Sequence, residues 1–351
     1  MDVTANRGQS DEAPDPGPDP FGGPKAKPGA EPMIRLTGVG KTYADGTVAV
    51  HELDLAVGRG EMVCLVGPSG CGKSTTLKMI NRLIEPTTGR IEIDGRDVTD
   101  EDPVKLRRGI GYVIQQIGLF PHQRIETNVM TVPLLYGESR TTARERAHEL
   151  LNLVGLDPDT FARRFPSQLS GGQRQRVGVA RALAANPPVL LMDEPFGAVD
   201  PVVRGKLQDE FLRLQRELGK TVVLVTHDID EAVRMGDRVA VFAQGGRLAQ
   251  YDVPARLLGA PADDFVADFV GSVRGLRRLS VTPIDPDHLE PLDGVTTGEL
   301  AGTIDVDSTL EDALALLMRE DKGTLAVKRG ATFLGVLTPN GIHRALRASV
   351  E

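Results

Sequence analysis

The run Gly67-Pro68-Ser69-Gly70-Cys71-Gly72-Lys73-Ser74 follows directly on the aliphatic stretch Met62–Val66, and its order of residue types suits the holding of phosphate. Glycines let the chain curl so that successive backbone N–H groups face one centre. A helix starting at the end of the loop adds the positive end of its dipole to that cradle. Lys73 can then reach the β- and γ-phosphates, while the Ser74 hydroxyl can ligate a Mg²⁺ that bridges phosphate oxygens. A glycine turn with a solvent-facing lysine is the plain alternative, and the strand before and helix after the loop count against it.

Two further groups acquire meaning beside that loop. Val189-Leu190-Leu191-Met192 ends in the consecutive acids Asp193 and Glu194, then Pro195. Asp193 is placed for the metal shell, and Glu194 to orient or deprotonate a water attacking the γ-phosphorus. On its own such a pair is an ordinary strand end. Leu169-Ser170-Gly171-Gly172-Gln173 precedes a helical stretch expected over Arg174–Ala185 and would expose a second cluster of backbone N–H groups. One nucleotide pocket does not need two such clusters, so the second is expected to complete the pocket of another copy, with ATP between the two chains.

These residues need elements to hold them. Met62–Val66, Val189–Met192 and Thr221–Thr226 are short aliphatic runs separated by helical stretches, as expected of buried parallel strands in an α/β sheet. Met33–Leu36 and Thr47–Val50 suggest a small antiparallel sheet ahead of it, and residues 116–168 read as mostly helical. Residues 1–32 hold seven Pro and five Gly with almost nothing to bury, and are expected to be a disordered tail. The periodic pattern stops near Gly271–Gly275, so the large domain is assigned to 33–272 and a linker to 273–302. A β-α-β-β-α unit follows over 303–351, with a helix from about Ser308 to Arg319 capped by Ser308 and Glu311.

Composition limits the function. The 41 Lys and Arg against 49 Asp and Glu give a formal charge of −8, which disfavours nucleic acid as a partner. Two cysteines, Cys64 and Cys71, are too few for a disulfide framework and fit a reducing, cytosolic setting. Neither a signal-peptide pattern nor an apolar run of membrane-spanning length is present in the sequence. Cys71, inside the loop, is expected to make the site sensitive to thiol reagents, and Cys64 to be core.

Taken together and in this order, the motifs resemble those of the ATPase subunit of an ATP-binding cassette (ABC) transporter, over roughly Met33 to Gly271. The resemblance implies a P-loop NTPase fold with a mixed sheet core, an antiparallel β subdomain and a helical subdomain. It implies ATP binding by Gly67 to Ser74 and Thr75, with Tyr43 stacking on adenine and Gln115, the Q-loop glutamine, sensing γ-phosphate. Mg²⁺ would be held by Ser74, Gln115 and Asp193. Lys73, Glu194 and His227, the last in Thr226-His227-Asp228, would be catalytic. Ser170, Gly171, Gly172 and Gln173 would act across a homodimer, and Asp200 would be the D-loop aspartate that communicates between copies.

One cassette without a membrane span resembles an importer subunit at the cytoplasmic face of the membrane. Such a subunit pairs with two transmembrane permease subunits, which an extracytoplasmic substrate-binding protein supplies. Gly111–His122, reading GYVIQQIGLFPH, and Gly275–Leu279, reading GLRRL, are similar to the branch that imports glycine betaine, choline, carnitine or proline. The alternatives are another cargo (polyamine, amino acid, sulfate, metal chelate) or a soluble ABC regulator without transport. The C-terminal unit resembles a single cystathionine β-synthase (CBS) repeat. Where nucleotide-binding repeats place a ribose-holding acid, three positions after Thr338, this chain has Gly341, which argues against adenine nucleotide binding. A regulatory role and simple packing against the cassette both remain open for it.

Overall fold

Aliphatic runs too short for helices and too apolar for exposed strands must be buried on both faces, and the computed structural model places them so. It describes residues 31–114, 118–197, 199–272, 274–291 and 300–349. The expected tail over 1–32 and Gln115 fall outside these residues, apart from Glu31 and Pro32.

A six-stranded sheet runs in the order Arg247–Asp252, Arg238–Ala243, Met62–Val66, Thr221–Val225, Val189–Asp193, Ile110–Val113. All neighbours are parallel except the first pair, which is antiparallel. Strands Met62–Val66, Val189–Asp193 and Thr221–Val225 are buried along their whole length. Alternate residues feed two separate apolar clusters: Met62, Cys64, Val66, Leu190, Met192, Val222 and Leu224 on one face, and Val63, Leu65, Leu191, Val223 and Val225 on the other.

The second face is covered by an antiparallel sheet ordered Val48–Val57, Ile34–Thr42, Thr88–Ile93, Arg96–Asp97. Its first two members match the sequence expectation. The first half of Thr88–Ile93 is exposed and polar and only Ile91 and Ile93 alternate toward the apolar cluster, so much of its strand character comes from pairing with Ile34–Thr42. Helices Ile125–Leu135, Arg140–Leu153, Pro158–Phe161 and Gly171–Leu183 contribute to the first cluster. Buried Asn128 ties the entry to this helical layer: its amide nitrogen donates to the carbonyls of Phe120, Gln123 and Arg124, and its oxygen accepts from Phe120 N at 2.7 Å.

The C-terminal unit is a three-stranded sheet, Leu300–Asp305 parallel to Thr324–Arg329 and the latter antiparallel to Thr332–Leu337, with helices Leu310–Glu320 and Pro339–Ala348. It has its own apolar cluster. Two sequence expectations shift here. The helix begins one residue later than read, because Ser308 is held in a turn by its N–H on Asp305 O; Thr309 and Asp312, not Ser308 and Glu311, form the reciprocal cap. The stretch assigned as linker contains a helix, Arg274–Val281, whose Leu279 belongs to the C-terminal cluster together with Ile284. Local glycine and arginine content hid it, since Leu279 is its one buried residue and its other anchors are long-range arginine contacts.

Among the described residues, no helix is long and apolar enough to cross a membrane.

Candidate functional site

The phosphate loop leaves the carboxyl end of the central strand Met62–Val66, where parallel strands put binding loops. Its shape is dictated by this chain's own backbone. Gly67 has φ 153°, and a Cβ there would lie 2.3 Å from Phe242 O; Gly72 has φ 96°, and a Cβ there would lie 2.2 Å from Ala49 O. Both positions are therefore closed to any side chain. Gly72 caps the helix Lys73–Ile80 in the left-handed conformation with no side chain bonded to the first turn, which leaves its N–H donors for a ligand. Buried Lys73 donates to the carbonyls of Gly67 at 2.8 Å and Pro68 at 2.9 Å, so its ammonium lies inside the loop's curl.

Ala49 follows the turn in which Tyr43 N donates to Thr47 O, and Tyr43 is 40% exposed on that turn beside the loop's flank. The Lys41 ammonium lies over the Tyr43 ring, 5.5 Å from its centre. Cys71 is fully buried, with Lys73 Nζ 3.5 Å from its sulfur, so the expected reactivity toward thiol reagents is not supported by its setting; Cys64 is core as expected.

The strand Val189–Asp193 lies one strand away from Met62–Val66, which brings its terminal acids to the loop. Ser74 Oγ donates to Asp193 Oδ1 at 2.8 Å. Burial pushes the Asp193 carboxyl above the usual carboxylate range, the Ser74 hydrogen bond opposes this, and the adjacent Glu194 charge adds to it. Burial, with the nearby Asp193 charge, also pushes the Tyr112 phenol up to about 12.

Glu194 has φ 47°, a left-handed conformation that costs a non-glycine residue about 1–3 kcal/mol and persists only when its surroundings fix it. Three hydrogen bonds do so. Its N–H donates to Val225 O at 2.9 Å, and its carbonyl accepts from Gly197 N at 3.2 Å and Gln175 Nε2 at 3.4 Å. The turn aims the carboxylate at His227, whose Nδ1 lies 3.4 Å from Glu194 Oε1.

Behind His227 is a network that the sequence reading missed. Thr226 N donates to Leu65 O, joining the His227 loop to the strand that feeds the phosphate loop. Asp228 N donates to the Thr226 hydroxyl, and the Asp228 carboxylate caps helix Ile229–Met235 by accepting from Asp230 N and Glu231 N. Buried Glu231 accepts from Gln208 Nε2 at 2.9 Å, and burial raises its carboxyl. Gln208 and Glu231 are 23 residues apart on two helices, so no local pattern pairs them.

Ser170 caps helix Gly171–Leu183, accepting from Gln173 N while the Gln173 side chain accepts from Ser170 N. This reciprocal cap starts the helix at Gly171, earlier than the expected Arg174. Ser170, Gly171, Gly172 and Gln173 share a hollow of about 320 Å³ with Asp200. The nearest atom to a Cβ built on Gly172 would be Val199 Cγ1 at 3.8 Å, an ordinary contact.

The site therefore combines a phosphate cradle, a hydroxyl–carboxylate pair and a fixed acid facing a histidine, while the second glycine helix start lines a separate hollow with Asp200. A phosphate cradle beside such a pair and such an acid is the equipment of a nucleoside triphosphatase. A family model described as ABC transporter matches residues 50–197. The choline transport ATP-binding protein OpuBA of Bacillus subtilis (strain 168) is 49% identical over 295 residues, covering 84% of this chain and 75% of its own length. The glycine betaine uptake system ATP-binding protein YehX of Escherichia coli (strain K12) is 46% identical over 313 residues, covering 88% and 95%. A solved dimeric ATP-binding cassette in a post-hydrolysis state with ADP and Pi is 40% identical with a TM-score of 0.58, covering 63% of this chain and 99% of that one.

The chain belongs to the family of ABC transporter ATP-binding proteins. It has the ATP-binding cassette fold and is an ATPase of the transport-coupled kind.

Proposed function

We propose that this chain energises import of quaternary-amine osmoprotectants such as glycine betaine, choline and carnitine, working as a pair of copies beneath two membrane permease subunits. The cargo reading is supported by relatives named for choline and glycine betaine that match over more than four fifths of this chain. An extracytoplasmic binding protein would deliver the cargo to the permease, and the ATPase would sit peripherally on the cytoplasmic face.

The observation that carries the mechanism is the convergence of Ser74, Asp193, Glu194 and His227 at the carboxyl ends of adjacent strands. Loop N–H groups and Lys73 bind the phosphates, and Tyr43 stacks on the base. The Ser74 hydroxyl and Asp193 carboxylate are hard oxygen donors 2.8 Å apart, a set that fits Mg²⁺ held jointly with phosphate oxygens; Gln115 is the third residue the sequence suggests. When bound, Mg²⁺ supplies neutralisation of the charge on the β- and γ-oxygens. Glu194 orients the attacking water and receives its proton. His227, mostly exposed, contacts the γ-phosphate. Ser170 to Gln173 of the second copy close over the same phosphate, Asp200 links the two sites, and closure is transmitted to the permease through the Gln115 segment.

The C-terminal unit, resembling a CBS repeat, has its Thr338 hydroxyl and Arg344 engaged by the chain's own Glu290, at 3.3 and 2.7 Å. That occupancy supports a packing or transmitting role over nucleotide binding.

ATP-driven uptake of labelled glycine betaine, choline, carnitine, proline and spermidine into vesicles carrying the assembled complex tests the proposal. Uptake of a quaternary amine that is lost in Glu194→Gln is expected. ATP hydrolysis without uptake of any of these amines, or uptake of spermidine alone, would remove the cargo assignment and leave the ATPase.

A further inference from the structure

Two consecutive arginines on helix Arg274–Val281 grip opposite sides of the molecule. The Arg277 guanidinium makes a bidentate pair with Asp230, Nε to Oδ1 at 2.5 Å and Nη2 to Oδ2 at 3.1 Å, and its Nη1 donates to the carbonyl of Val270. Asp230 stands in the first turn of helix Ile229–Met235, two residues past the Asp228 cap and three past His227. Arg278 turns the other way, its Nη2 donating to the carbonyl of Leu346 and to Ser349 Oγ at 3.0 Å, both at the end of the last helix of the C-terminal unit. Arg278 Nε is buried without a hydrogen-bond partner, so this side chain is committed to the junction at a cost. Leu279, the next residue, is packed in the C-terminal cluster.

Exposed ion pairs contribute little unless their geometry is bidentate and fixed. Here the arginine is three-quarters buried on its side chain, doubly bonded to one carboxylate, and anchored by the final carbonyl of helix Asp264–Val270, whereas Asp230 is largely exposed. The pair does not serve burial of an acid. It ties down the first turn of a helix whose cap, Asp228, directly follows His227.

We propose that Arg277 is a positioning residue for ATP hydrolysis: it locks the first turn of helix Ile229–Met235 and, through Arg278, makes the seating of the C-terminal unit felt at His227. This rests on the reading of His227 as the residue that contacts γ-phosphate. The unit then acts on the site through one helical turn, with no ligand of its own required.

Steady-state ATP hydrolysis by the full chain, with kcat and KM measured separately, tests this. Arg277→Gln is expected to lower kcat by about fivefold, the low end of coupling between sites, with KM for ATP unchanged. Arg277→Lys should recover part of the loss, and Asp230→Asn should reproduce it and add nothing to Arg277→Gln. Arg278→Met should shift kcat in the same direction. Unchanged kcat in Arg277→Gln, beside collapse in His227→Ala, overturns the proposal and leaves the His227 reading intact. Full additivity of Asp230→Asn with Arg277→Gln, or no recovery in Arg277→Lys, also overturns it. Unchanged kcat in Arg278→Met removes the C-terminal unit's part, and normal turnover in His227→Ala removes the underlying reading. Asp230 is exposed, so its variant reports on the pair even if Arg277→Gln fails to fold.

Discussion

The molecule starts two helices with glycine, and the two starts are opposite in kind. At Gly72 the lack of a side chain is demanded from inside: a Cβ would collide with Ala49 O, and no side chain caps the helix. At Gly172 nothing inside the chain objects to a Cβ, and Ser170 with Gln173 already caps the helix. Room for a methyl group at Gly172 means that this chain's own packing does not require the glycine. The first start is shaped by its own chain, and the second start, on the proposed reading, serves the second copy.

The largest effect that bears on this contrast is expected from Glu194→Gln. Hydrolysis should fall by about 10²–10⁴-fold, the range for a lost general base, while ATP still binds. ATP should then hold the variant as a dimer in light scattering; a monomer at saturating ATP would break the contrast. Gly72→Ala comes next. Its Cβ must displace backbone, costing about 1–3 kcal/mol as overpacking does, and calorimetry should show a lowered Tm together with lost ATP binding.

Gly172→Ala should leave the unfolding free energy of the single chain within about 0.5 kcal/mol of the parent, as surface changes do, yet abolish the ATP-dependent dimer of Glu194→Gln. A Tm loss as large as that of Gly72→Ala would show that the second start is also built for its own chain. The smallest effect concerns Asp193. Its folded pKa is raised by burial, so the native state holds more protons between the unfolded and folded values, and stability falls as pH rises through that window and stays lower above it. Asp193→Asn should therefore raise the Tm at neutral pH without nucleotide and have no such effect at a pH below both values. Thermal unfolding at two pH values checks this.

How much of this was legible in the sequence depends on the range over which residues act. Gly67 to Ser74, Asp193 and the strands that hold them are local: residue type and burial are written in five to eight consecutive positions. The strand order, which places Asp193 one strand away from Ser74, is set by crossover connections and has no local trace. The same holds for Gln208 against Glu231, for Asp230 against Arg277, and for the strand Thr88–Ile93, whose first half Thr88-Gly89-Arg90 is exposed and polar, so that its pairing with Ile34–Thr42 has no local trace. The cap of helix Leu310–Glu320 missed by one residue because Ser308-Glu311 and Thr309-Asp312 are equal as patterns; the turn closing on Asp305 O decides between them.

Strand Met62–Val66 lies in the middle of six, hydrogen-bonded on both edges and buried on both faces. Its amides should exchange with deuterium only when the entire cassette opens, whereas the C-terminal unit, with an apolar cluster of its own, can open by itself. The strand that feeds the phosphate loop thus keeps the slowest clock in the chain, and the C-terminal unit a faster one. A cell that strains this protein by heat or salt would lose the tail's grip on Arg278 long before it lost the capacity to hold nucleotide.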